Sequence, residues 1–335
     1  ETGYGVAIAA RVLIGAGDAT AFLSVMRILP YWFPLHRTPM FTQVTSSLGQ
    51  MGQFISAVPF LWLLGAAGWT AAFVTLGAVG ILVAIAAIVA VADSPEKLGI
   101  ITTEKEPPNS QATSIPARLK KVFRSPVAWQ AYFIHYIGML PLIIFVMLWG
   151  MPMMTQGMEL SKAKSSLVLT LLAVFLVFVG PLHGKISSRA QHVRPWLSLG
   201  FVVVHVLTWL VFFAFGTNIG LPAILVVSFI TALCTPTANY GFDIVRERMD
   251  RSVVATATGL GNMGGFTSGM LGAQLFGMVL DHSSDAPNYS MPDFTAASTA
   301  VLAVWVVGMV GVVITQFLRR RAGEDGPSVT IVEVS

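Results

Sequence analysis

Of the 335 residues, 55% are apolar and only 11% are charged, with a net charge of +4, whereas soluble domains carry about a quarter charged residues. A soluble fold could not cover that much apolar surface, so the medium for this chain is lipid and the expected fold is all-α, a polytopic membrane helix bundle. The single cysteine, Cys234, excludes a disulfide framework and a cysteine metal site, and the excess Lys and Arg lie in short loops, where they orient spans in a bilayer rather than bind nucleic acid.

The chain opens on Glu1, and the apolar block behind it carries Arg11 and Asp18 without the charged lead and cleavage site of a signal peptide. It is therefore expected to be cut from something longer. Nine apolar runs near the ~20 residues that cross hydrocarbon follow one another: Val6–Leu29, Val44–Leu64, Trp69–Val91, Ala128–Leu148, Ser166–Leu182, Leu197–Phe215, Leu221–Tyr240, Val253–Leu280 and Thr295–Phe317. Backbone groups in lipid must be satisfied within each run, and no run alternates as a barrel strand would, so all are predicted helices.

In the first run, Arg11 and Asp18 share a face but stand about 10 Å apart along the axis, too far to pair directly. Asp18, near mid-span, reads either as a proton carrier or as a carboxylic acid bonded to a neighbouring helix. Arg11 reads either as a permanent cation that senses a carboxyl or as an arginine snorkelling to the interface. The second run carries Gly49 and Gly52, and Gly65–Gly68 turns into the third. The polar stretch Asp93–Arg124, with Pro107, Pro108, Asn109 and Ser110, is a predicted linker. His135 and His205 lie about 10–12 Å into the fourth and sixth runs, placed either to relay protons or to bond neighbouring helices. Trp149 is an expected interfacial anchor. Thr237, Asn239 and Tyr240 in the seventh run and Asn262 in the eighth either line a cavity or join helices. No metal-ligand spacing, P-loop or nucleophile–base set is present, so the expectation is a non-enzyme with no metal and no cofactor, and not driven by ATP.

The loops sort by charge. One side holds Arg27, Arg37, Asp93–Arg124, Lys185, Arg189, Arg194, Arg246, Arg248, Arg251 and Arg319 to Arg321; the other holds only Lys162 and Lys164 as Lys or Arg. The basic side is predicted to be cytoplasmic, which leaves Glu1 outside and Ser335 inside.

Across the linker a repeat emerges. Leu48-Gly49-Gln50-Met51-Gly52-Gln53-Phe54 aligns with Leu260-Gly261-Asn262-Met263-Gly264-Gly265-Phe266, each after a basic loop, and transporters are commonly built from duplicated bundles. Arg11-Val12-Leu13-Ile14-Gly15-Ala16-Gly17 matches an R-x-x-x-G-x-G pattern, and Gly180-Pro181-Leu182-His183-Gly184-Lys185 with Arg189 is a degenerate G-x-x-x-D-R-x-x-R loop. With these features the chain resembles the major facilitator superfamily, and the resemblance implies two bundles of six helices rocking about a mid-membrane site. By that register the chain holds nine of twelve spans: residues 1–92 a partial first bundle, 93–125 a cytoplasmic linker, 126–318 the second bundle, 319–335 a cytoplasmic tail.

The resemblance further implies a monomer in the plasma membrane that carries a small solute, with Arg11 as a proton-coupling residue, and Asp18, His135 and His205 join it as candidates by their place inside the spans. Gly15, Gly17, Gly49, Gly52, Gly261, Gly264 and Gly265 become packing or gating positions. The antiporter pattern G-P-x-x-G-G of the fifth family span is replaced by Ala57-Val58-Pro59-Phe60-Leu61, which favours uptake by symport over export. The Gly261–Gly265 pattern is similar to nitrate/nitrite porters, yet Ser166–Leu182 lacks the arginine those porters use. A drug or metabolite exporter, a non-transporting receptor and an inactive truncated product are rival readings of the same residues.

Overall fold

A computed structural model describes residues 3–34, 36–100, 114–283 and 288–323, side chains excepted at 50 and 53–58. The linker residues Pro107 to Ser110, Ser335 and most of the expected tail lie outside the described residues. Among those described there is no strand. Eight stretches are long and apolar enough to cross a membrane. The remaining expected run, Val44–Leu64, is helical, and its last residues open the 59–90 stretch.

Helix α1, Tyr4–Trp32, stops where Phe33 turns extended before Pro34, as a residue preceding proline is steered away from helical angles. Helix α2, Thr38–Ala90, starts on Pro39 and spans 53 residues, which would be about 80 Å if straight. It is not straight. Gly68 sits at φ 79°, ψ 176°, a region open essentially to glycine alone. The rings of Phe60 and Phe73 lie 5.4 Å apart, where 13 residues of straight helix would separate them by about 20 Å. Trp32 Nε1 donates to Ala92 O at 3.1 Å, so both ends of α2 are near the end of α1. The chain thus folds back at Gly68 into two limbs, close to the turn expected at Gly65–Gly68.

Beyond the linker, α3 (Ile115–Arg124) is a short helix, followed by α4 (Pro126–Gly157), α5 (Lys162–Arg189), α6 (Arg194–Ile219), α7 (Leu221–Arg248), α8 (Arg251–Ser283) and α9 (Met291–Arg321). Prolines open α4, α6, α7 and α9 in the first turn, where no N–H is missed. Pro141 lies inside α4 and is followed by π-helical turns at Leu142–Trp149, a local adjustment typical where proline removes a ladder bond. Ser290 caps α9 through a reciprocal box with Asp293. Helix α7 runs on to Arg248, past the Tyr240 at which the apolar run ends, because its charged final turns find partners inside the protein.

Helices α4, α8 and α9 form the centre. The buried apolar cluster runs from Val122 to Val312 and is drawn from α3 to α9. Close approach is made by glycines of α8: a Cβ on Gly264 would strike Tyr132 O, and one on Gly265 would lie 2.8 Å from His135 Cδ2. Helix α2 lies along α5, with Gly184 against the Met40 backbone and Gly180 against Ser47. Helix α1 is the exception: none of its most apolar window is buried, and only 6% of that of the 59–90 stretch is.

Candidate functional site

The basic residues of alternate loops gather at one end of the bundle. Lys121 pairs with Asp250, Arg319 donates to Gln130, and Lys97 pairs with Asp93; Lys97 holds the Asp93 carboxyl below its ordinary value, mainly through its hydrogen bond. At the opposite end Gln156 Oε1 accepts from the Tyr289 backbone N–H at 3.2 Å.

A polar cluster fills the basic end between α5, α6 and α7. Arg194, fully buried, grips Glu247 with both terminal nitrogens at 2.6 and 2.8 Å and donates from Nε to Ser187 O at 2.9 Å. Asp243, 1% exposed, accepts from Ser187 Oγ and from Arg246. Every charge here has a counter-charge, the condition for placing ions in a dry interior.

From this cluster polar bonds cross to α2. Arg246 donates to Thr42 Oγ1 at 2.7 Å. Gln43 Nε2 donates to Pro236 O at 2.8 Å, and Asn239 Nδ2 donates to Gln43 Oε1 at 3.0 Å and to Ser46 Oγ at 3.1 Å. Pro236 offers that carbonyl from a 3₁₀ turn, Thr235–Asn239, inside α7. The result is a clasp between chain segments on either side of the linker, closed at the basic end.

The residues singled out from sequence separate into three places. Asn239 is in the clasp. Tyr240 OH meets His183 Nδ1 at 2.8 Å, His135 Nδ1 lies 3.1 Å from Ala238 O, a contact in which nitrogen must be the donor, and Thr237 bonds its own helix at Cys234 O. These surround α7's 3₁₀ turn. His205 stands apart, with Nε2 2.9 Å from Thr231 Oγ1 and its ring 5.2 Å from that of Trp305. Asn262 is half-buried on α8. Arg11 and Asp18 are exposed along α1, and a Cβ at Gly15, Gly17, Gly49 or Gly52 would meet nothing within 4 Å, whereas Gly261, Gly264 and Gly265 are in tight contact. Sequence reading missed Thr42, Gln43, His183, Asp243 and Arg246. The one signal available for the last two was their i, i+3 spacing, which suits a helix rather than a loop.

The sequence profile of the Major Facilitator Superfamily matches residues 2–273. The chain belongs to this superfamily. Together with the apolar helices, membership makes it an integral membrane protein whose setting is the bilayer. A stretch of 100 residues is 29% identical to a protein described as a probable sulfoacetate transporter, SauU, of Cupriavidus necator. That match covers 30% of this chain and 23% of the relative.

Proposed function

We propose that this superfamily member takes up a small organic anion by proton-coupled alternating access, and works as a monomer in the plasma membrane. The observation that carries the reading is the presence of Arg11 and Asp18, the charged residues of α1 ahead of the basic-end Arg27, on an apolar helix whose face is left uncovered by the described chain. Ionisable groups at such depth are expensive and mark solute and proton pathways. In the scheme Asp18 carries the proton, Arg11 is the compensating cation for the anion, and His135 is a second proton-coupling candidate beside the 3₁₀ turn of α7. The sulfoacetate transporter similarity supports a compact sulfonate or carboxylate as the substrate class. The clasp of Thr42, Gln43 and Ser46 with Asn239 and Arg246 supports rocking of residues 1–92 against residues 126–318 about the 93–125 linker, with the basic end closed. Under this scheme the basic end is cytoplasmic, the repeat assigns three further spans of the whole protein to the uncovered face of α1, and Thr237, Tyr240 and Asn262 belong to the central cavity.

The test is uptake of radiolabelled short sulfonates and carboxylates into proteoliposomes of the whole protein under an imposed inward proton gradient. Wild type is expected to accumulate an anion from this panel, whereas Asp18→Asn retains binding but loses the dependence of accumulation on the gradient. Gradient-driven accumulation by Asp18→Asn with an unchanged pH profile would remove the proposed carrier.

A further inference from the structure

Far from the clasp, an apolar recess opens between α4, α6, α8 and α9. Its walls are the rings of Phe145, Trp149, Trp209, Phe213, Phe276 and Trp305 around a cavity of ≈ 100 Å³, an aromatic lining of the kind that takes small apolar ligands. Two π-helical stretches border it, Leu142–Trp149 and Phe212–Gly216, irregularities that recur at functional sites. Phe145, Phe276 and Trp305 are buried, while Leu210 and Thr299 at the mouth are exposed. The mouth continues into exposed apolar side chains, Leu207 and Val211 on α6 and Val306 and Val310 on α9. In an integral membrane protein that surface meets acyl chains.

In the recess, Trp305 Nε1 donates to Ile137 O at 2.8 Å. Ser298 and Thr299 donate to carbonyls of their own helix at 2.6 Å. Among the described residues the indole N–H of Trp149 is buried and without an acceptor. Trp149 lies two turns from the end of α4, whereas Val206 and Trp305 lie about 20 Å along their helices from the same end. One hydrogen-bond donor near the membrane surface with an aromatic channel beneath it matches the polarity of a phospholipid, whose ester carbonyl sits at the depth favoured by tryptophan and whose chain runs inward. We propose that the recess binds one acyl chain of a phospholipid from the leaflet at this end, with the Trp149 N–H donating to the ester carbonyl.

The experiment reconstitutes the protein in phosphatidylethanolamine vesicles doped with the same lipid carrying a diazirine in its acyl chain, followed by photolysis and mapping of adducts by mass spectrometry. Adducts are expected to concentrate on the segments 206–213 and 298–305 over the exposed Phe178 surface of α5. Leu302→Trp, which fills the recess, and Thr299→Phe, which covers its mouth with little demand on packing, should each give several-fold loss there and leave Phe178 labelling unchanged. Trp149→Phe should lower labelling by the ester lipid and not by its ether analogue. Labelling of the recess no stronger than at Phe178 overturns the proposal, as does labelling undiminished by Thr299→Phe. Loss of solute uptake in Thr299→Phe with lipid adducts intact would give the recess to the solute instead.

Discussion

Asp243 is the residue on which the basic-end cluster turns, since it accepts from Ser187 and neutralises Arg246, whose side chain is 6% exposed. Removing one member of a buried pair strands the other, at about 3–5 kcal/mol. Asp243→Asn is accordingly expected to lower the thermal midpoint in detergent well beyond the effect of Asp93→Asn, whose carboxyl is exposed and paired only with Lys97. Adding Arg246→Gln to Asp243→Asn removes the stranded cation and should restore much of the loss. Strict additivity of the two changes would show that they do not act as a pair. Neither residue stood out in the sequence, where the run from Asp243 to Arg251 reads as one more basic loop. Local composition sees the charges; only the opposing Ser187, Arg194 and Thr42, all distant in the chain, make them interior.

At the scale of elements, the two copies of the glycine repeat have different surroundings. On α8, Gly264 lies so close to Tyr132 O that a Cβ cannot fit without parting α4 from α8, while on α2 a Cβ at Gly49 enters open space. Gly264→Ala should therefore cost about 1–3 kcal/mol as overpacking, whereas Gly49→Ala should be neutral or stabilise by about 0.5–1 kcal/mol through helix propensity. Thermal midpoints of the two variants, measured side by side, check this; equal midpoints would contradict the packing described for α8. The same contrast applies to the turn in α2. A glycine cluster signalled that the chain turns somewhere in residues 65–68, but the positive φ that assigns the fold-back to Gly68 follows from how the two limbs meet, as the Phe60 and Phe73 rings show.

For the whole molecule, the proposed alternating access requires the segments joined by the clasp to part at the basic end during each cycle. Ser46→Cys with Asn239→Cys replaces a pair whose polar atoms are 3.1 Å apart. Oxidation is expected to arrest transport in the complete protein and reduction to release it. Undiminished flux through a cross-link verified on denaturing gels would mean that the clasp stays shut throughout transport. The proposed orientation is checked by thiol labelling, made simple because Cys234 is buried: His282→Cys should react with an impermeant reagent added outside, and Lys97→Cys only after the membrane is opened. The reverse pattern would invert the orientation. The sequence alone determined the medium, the helical class and the order of the apolar runs, because each depends on composition and spacing along one segment at a time, while the superfamily was legible as a resemblance in the glycine repeat and the Arg11–Gly17 pattern. The sequence also placed Arg11 and Asp18 within the first apolar run, since position in a run is a matter of counting residues. What only the tertiary structure decided was which polar groups meet: Asn239 with Gln43 and Ser46, Arg246 with Thr42, His183 with Tyr240. The physical reason is that a buried polar group takes whatever complementary partner packing brings within hydrogen-bond reach, and partners some two hundred positions apart leave no trace in the local pattern of either.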